Sequence, residues 1–197
     1  TPTALVTRTA DDLAVTMTAA GAAADLAAGR AALADHLGRK APNTRRRMAD
    51  DLAVFAGYLA DAQIPTAPRV ADLAAAIAAW PGDTAPDLAA LAGVTWGMVA
   101  AFVQWQLHWH LTPPDPHNMG HGRDVPVATE GGYAIGSVNV RLSTIKTLCK
   151  LAAQAGILDA GTLGMIRSVS GYRLAEGRNL DKTREITRVG AKKAAAV

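Results

Sequence analysis

The clearest hydrophobic pattern in the chain runs from Tyr133 to Gly156. Apolar side chains recur there at three- and four-residue steps, the spacing of one helix face. They are Val138, Leu142, Ile145, Leu148, Cys149 and Ala152. Ser137 has a side chain suited to cap the start of this helix, and Gly156 suits the residue just after its end. The opposite side offers only hydroxyls, an amide and cations, from Asn139, Arg141, Ser143, Thr144, Lys146, Thr147 and Lys150. The pattern predicts a helix with one buried face and one acid-free polar face.

Weaker patterns predict further helices on both sides of this one. Residues 1–29 are Ala-rich and predict an N-terminal arm or weak helix, and residues 23–37 predict a short helix ending at Gly38. Asn43 or Thr44 is expected to cap a strong helix that runs to about Gln63. Its apolar stripe is Met48, Leu52, Phe55 and Leu59. Three more helices are expected over residues 69–79, over residues 95–110 with Thr95 as the cap, and over residues 162–169.

Two segments lack helical periodicity. Residues 112–132 are rich in Pro and Gly and predict a loop insertion, long for a compact domain. Residues 172–197 are basic and predict a linker. The chain therefore divides into an arm at 1–29, a helical domain at 30–171 and a tail at 172–197. Alanine richness with few strand formers predicts an all-α fold.

Charge is distributed unevenly along the chain. Residues 137–197 hold eleven Lys and Arg against four Asp and Glu, whereas residues 1–136 hold nine against thirteen. Such polarity favours an anionic partner for the basic half, although a solvated tail would produce it too. Cys149 is the single cysteine, which excludes a disulfide framework and indicates a cytoplasmic protein. No apolar run is long enough to predict a membrane span or a secretory signal, so no membrane partner is expected.

Most catalytic chemistry finds no support in the sequence. His108, His110, His117 and His121 cluster, but no cysteine or repeated acid completes a metal-ligand pattern. Nucleophile motifs and phosphate-binding Gly-rich loops are absent from the sequence. The pair Asp50–Asp51 is interpreted as solvated, because adjacent helix residues point in different directions. No catalytic residue, cofactor or metal is therefore predicted.

Nucleic-acid binding remains the best interpretation of the cations. The sequence Asn-Thr-Arg-Arg-Arg at 43–47 opens one predicted helix, where free N–H groups favour phosphate, and the cations from Arg141 to Lys150 line another. About six phosphate contacts would give a log–log salt slope near −5. Three alternatives stay open: an ordinary solvated face, a helical protein-interaction or regulatory module, and a small enzyme using the histidines.

The order of these segments resembles the N-terminal core-binding domain of tyrosine recombinases, the phage integrase family. Residues 43–59 read Asn-Thr-Arg-Arg-Arg-Met-Ala-Asp-Asp-Leu-Ala-Val-Phe-Ala-Gly-Tyr-Leu and are similar to the opening helix of that domain. Residues 137–146 look like its Ser/Thr-rich helix, 95–103 like its intervening helix, and 188–194 like the junction to the catalytic domain. The long loop insertion departs from the family.

The resemblance implies a SAM-like bundle of about four to five helices that closes one half of a clamp around double-stranded DNA. Site-specific recombination would then require a catalytic domain that these residues do not contain, so this stretch would bind without cutting. Recombinase protomers, forming a tetramer on DNA, would be the other partners, in a prokaryotic cytoplasm at the nucleoid. The candidate DNA contacts are Thr44, Arg45, Arg47, Asn139, Arg141, Ser143, Thr144, Lys146 and Lys150. We expect Lys146→Ala to weaken binding while leaving stability nearly unchanged.

Overall fold

The computed structural model describes residues 10–83, 86–112 and 127–183, and within these ranges the chain is mostly helical. The helices described are α1 (Ala10–Gly38), α2 (Pro42–Asp61), α3 (Ala67–Ala78), α4 (Trp96–His108), α5 (Ile135–Gln154), α6 (Ala160–Ser168) and α7 (Leu174–Thr183). A 3₁₀ turn covers Leu88–Leu91, and two short strands, β1 (Trp109–Thr112) and β2 (Val127–Glu130), pair antiparallel. The all-α class predicted from the sequence is confirmed.

Helix starts only partly follow the predicted caps. Thr95 caps α4 as expected, because its hydroxyl accepts a hydrogen bond from the Met98 N–H. Neither Asn43 nor Thr44 caps α2, which begins at Pro42. Proline suits this first helical position because its missing N–H would have no partner inside the helix. Ser137 does not cap α5, which begins two residues earlier at Ile135.

The end of α5 is closed as its sequence predicts. Gly156 adopts the left-handed conformation, with φ at 70°. The N–H groups of Gly156 and Ile157 donate to the carbonyls of Ala153 and Ala152, at 3.1 and 2.9 Å. This pair of bonds satisfies carbonyls that the helix itself leaves free.

Helix α1 is longer than predicted, and helix α7 was not predicted. Helix α1 is continuous from Ala10, although the side chains over residues 14–25 are exposed and form no apolar stripe. Alanine propensity alone favours helix there. Helix α7 occupies part of the predicted linker; the Arg173 N–H donates to the Glu176 carboxylate at 2.8 Å, and Gly177 packs against Ile135. The helix predicted over residues 23–37 is the C-terminal part of α1, which ends at Gly38 as expected. Periodicity does not find the first part of α1 or α7, because neither segment has a regular apolar stripe.

The core lies where α2, α4 and α5 meet. Phe55 of α2 and Phe102 of α4 are fully buried, with ring centroids 5.0 Å apart in an edge-to-face contact. Helix α1 joins through Leu33 and Leu37, and α5 contributes Ile145 among other buried side chains. The apolar stripes predicted for α2 and α5 are therefore buried as expected.

The predicted loop at 112–132 is in part a hairpin. Helix α4 ends at His108, earlier than predicted, and Trp109 pairs with Glu130 across the two strands. Residues 113–126, which include His117 and His121 of the histidine cluster, lie outside the described ranges. The Leu111 N–H donates to the Tyr133 hydroxyl at 3.0 Å, which fastens the hairpin to the helical body.

Close packing of α1 on α5 generates a first prediction. A Cβ atom built on Gly29 would lie 2.0 Å from Cβ and 2.6 Å from Cα of Ala155, so Gly29→Ala must push the helices apart. Gly21, in the same helix, has no neighbouring atom within 4 Å. In urea unfolding we expect Gly29→Ala to destabilise the protein by about 1–3 kcal/mol. Gly21→Ala should stabilise it by up to about 1 kcal/mol. Equal effects of the two substitutions would contradict this packing.

Burial of the single cysteine generates a second prediction. Cys149 is fully buried in α5, and burial raises the pKa of its thiol to about 12. Because the thiolate is the reactive form, native protein at about pH 8 should resist an aromatic disulfide reagent. Denatured protein should react with one equivalent at once. Rapid labelling of the native protein would show that this part of α5 is not packed as described.

Candidate nucleic-acid interface

The polar side of α5 divides into two groups of side chains. Arg141 and Thr144 turn inward toward α2 and α4, where they join a buried polar cluster. The remainder line a surface groove beside α6. The sequence predicted a single exposed face for all of them; that expectation is wrong for Thr144, which is buried.

The buried cluster is centred on Asp51 of α2, which is only 2% exposed. Its Oδ2 accepts a hydrogen bond from the Thr144 hydroxyl at 2.8 Å. Its Oδ1 lies 3.7 Å from Nε of Arg141 and 3.6 Å from Nε of Arg47, within ion-pair range. The expectation that Asp50 and Asp51 are both solvated is therefore wrong for Asp51, although Asp50 is exposed.

Arg141 contacts three side chains, those of Asp51, Tyr133 and Gln106. Its guanidinium carbon lies 3.8 Å from the centroid of the Tyr133 ring, a cation–π contact. One terminal nitrogen donates to the Gln106 side-chain oxygen at 3.3 Å, and the Tyr133 N–H donates to the Gln106 carbonyl at 2.8 Å. Arg141 thus ties α5 to α4 and to the base of the hairpin. Its side chain is committed to the fold.

Burial dominates the ionisation of the cluster. It raises the pKa of Asp51 more than the Thr144 hydrogen bond and the charges of Arg141 and Arg47 lower it. The geometry explains this balance: Asp51 accepts a hydrogen bond from Thr144, whereas both arginine nitrogens lie beyond hydrogen-bond distance.

The outward group lines a groove with a volume of about 470 Å³. Helix α5 contributes most of its lining, and the rest comes from the end of α6 and the segment after it. The lining residues are Asn139, Leu142, Ser143, Lys146, Thr147, Lys150, Arg167 and Gly171. Three of them are cations and none is an acid. A groove of this composition carries a positive potential, which attracts anions.

Some of the lining groups are already engaged. The Lys146 ammonium donates to the carbonyls of Arg167, at 2.9 Å, and of Val169, so it caps the C-terminal end of α6. Asn139 donates to the Tyr172 carbonyl at 2.7 Å and accepts from the Tyr172 N–H at 2.9 Å. The expectation that Lys146→Ala leaves stability nearly unchanged is therefore revised, because the substitution removes this cap.

Three lining groups keep their polar heads available. Lys150, Arg167 and Ser143 are exposed, and their side chains make no hydrogen bond or ion pair within the described ranges. Arg167 was not among the residues predicted from the sequence. It lies in the last turn of α6, and the chain reaches the groove there only through folding.

The start of α2 offers less than its arginines suggested. Arg45 is half-buried and donates to the Lys40 and Leu37 carbonyls at 3.1 and 3.4 Å, which holds the end of α1. Arg47 is exposed and pairs with Asp51, and Thr44 is exposed. This segment and α5 therefore meet at Asp51 rather than forming one cationic surface.

Comparisons with protein-family models, curated proteins and solved structures found no match to this chain. Within residues 10–83, 86–112 and 127–183, no three His, Cys, Asp or Glu side chains group as metal ligands. The described helices include none long and apolar enough to cross a membrane.

The raised pKa of Asp51 predicts a pH dependence of stability. Since the folded protein holds this proton more tightly than the unfolded chain, stability from Asp51 is present below the unfolded pKa of about 4 and is lost as pH rises through the folded value. Asp51→Asn has no proton to lose there. In urea unfolding between about pH 4 and pH 7, the free energy of unfolding of the wild type should therefore fall relative to that of Asp51→Asn. A wild type that gains on the variant as pH rises would show that the arginines dominate.

Proposed function

We propose that this chain binds duplex DNA through the groove between α5 and α6. The observation that supports the proposal is the combination of Lys146, Lys150 and Arg167 around one groove, whose lining includes no acid among the described residues. Three cations at one surface, with the Ser143 hydroxyl in the same lining, match the donors that proteins use against phosphate oxygens. A duplex presents a continuous row of such phosphates.

In this proposal the chain is the non-catalytic, DNA-binding part of a site-specific recombinase. The support is the order of segments that resembles the core-binding domain of tyrosine recombinases, together with an all-α fold in which α2, α4 and α5 pack on one another. Strand cleavage would belong to a separate catalytic domain, and recombinase protomers would assemble on the DNA. The fold would then be a core-binding bundle carrying an added hairpin.

The proposal narrows the predicted contact residues. Ser143, Lys146 and Lys150 keep the role expected of them, and Arg167 joins them. Thr44 and Arg47 are a secondary surface at the start of α2. We assign Asn139, Arg141, Thr144 and Arg45 to positioning, because their polar groups bond to other parts of the chain.

Salt dependence tests the proposal. We expect binding of a duplex of about 20 bp at about 50 mM salt, followed by fluorescence anisotropy, to weaken steeply as salt rises, because counterions are released from the phosphates. Changing Lys150 and Arg167 together to Gln should reduce the magnitude of the log–log salt slope by about two. Both side chains are exposed, so the thermal stability of the variant should stay close to that of the wild type.

Arg69→Gln supplies a control in which one cation is removed outside the groove. Arg69 is an exposed cation of α3 that is not part of the groove lining, and its substitution removes one hydrogen bond to the Ala89 carbonyl. We expect this variant to retain the wild-type affinity and salt slope. Absence of duplex binding at low salt, or equal losses in Arg69→Gln and in the groove variant, would refute the proposal.

A further inference from the structure

The groove holds its side chains in a way that limits what they can recognise. Base sequence is read by hydrogen bonds aimed at base edges, whereas phosphate contacts need only charge and donors beside the backbone. Within the described part of the chain, Asn139 is the only side-chain amide in the lining. Both ends of that amide bond to the backbone of Tyr172. It therefore cannot turn its oxygen and nitrogen together toward an adenine, the pairing by which asparagine selects that base.

Two further groups are fixed in the same manner. The Lys146 ammonium is directed at the carbonyls of Arg167 and Val169, which leaves it a stationary charge rather than a probe for guanine. The Thr147 hydroxyl donates to the Ser143 carbonyl of its own helix at 2.9 Å. To hydrogen-bond a base edge, Lys146 would have to give up its cap at the end of α6, and Thr147 its bond within α5.

The lining also lacks the other side chains that read or stack bases. Among the residues that the structure describes, the lining contains no Asp or Glu to accept from the cytosine amino group, and no aromatic ring on which an unpaired base could stack. What remains are Lys150 and Arg167, two exposed cations, and the Ser143 hydroxyl. These are groups suited to phosphate oxygens.

From these constraints we infer that the groove follows the phosphate backbone of duplex DNA without reading its base sequence. The inference rests on the proposed function and narrows it. The groove supplies affinity and orientation, and any sequence preference has to come from residues outside the groove. Because the described lining residues offer no stacking surface, the same constraints favour a duplex over a single strand.

The inference is tested by comparing ligands on the full chain. Anisotropy titrations at about 50 mM salt would use duplexes of about 20 bp, one AT-rich, one GC-rich and one mixed, and the single strand of the mixed duplex. We expect the three duplex dissociation constants to agree within about threefold, since a site that reads bases loses about fivefold or more per wrong base pair. The single strand should bind more weakly than its duplex.

A conservative variant separates charge from base reading at Arg167. Arg167→Lys keeps the charge but loses the planar fork that pairs with guanine, whereas Arg167→Gln loses both. We expect each variant to weaken all three duplexes by one common factor, with the smaller loss for Arg167→Lys because the charge is kept.

The outcomes distinguish the inference from the function it refines. A duplex bound at least about tenfold more tightly than the others, with that preference lost in Arg167→Lys, would overturn sequence independence while leaving duplex binding intact. Tighter binding of the single strand would overturn the preference for a duplex. Failure of all three duplexes to bind would refute the proposed function, and the inference with it.

Discussion

The buried carboxylate of Asp51 constrains the arrangement of the helices around it. A charge removed from water must find hydrogen-bonding and charged partners, and leaving it unpaired would cost several kcal/mol, on the order of 3–5. Asp51 on α2 meets this need with Thr144 and Arg141, both on α5. The rotation of α5 about its axis is thereby restricted, because these two side chains must face α2. The groove residues on its other side face outward as a consequence.

Some side chains that line the groove also hold its helices in place. Lys146 closes the C-terminal end of α6, whose last carbonyls carry partial negative charge. Lys146 therefore stabilises the end of α6 and also adds to the positive potential of the groove. Lys150 and Arg167 carry the charge that remains free for a ligand. The structure thus separates groups that position α5 and α6 from groups that can meet phosphate, although the sequence presents all of them as one polar face.

Local signals predicted much of the helical framework, and long-range pairing explains what they missed. The stripes of α2 and α5, the Thr95 cap and the turn at Gly156 each depend on residues close in sequence, and each is confirmed. The Asp51–Thr144 bond joins residues 93 positions apart, which no periodicity can reveal. Arg167 reaches the groove from a separate helix for the same reason. Asp51 lies three residues after Met48 and four before Phe55, the spacing of one helix face, and this was the available hint that it faces inward.

The central claim, that duplex DNA lies in the groove between α5 and α6, is tested most directly by lysine footprinting. An amine-reactive reagent would be applied with and without saturating duplex, and modification of each lysine followed by mass spectrometry. Lys150 is exposed at the groove and should be labelled readily in the free protein and be protected when duplex is bound. Protection at other lysines with Lys150 labelled at an unchanged rate would place the DNA elsewhere and contradict the account.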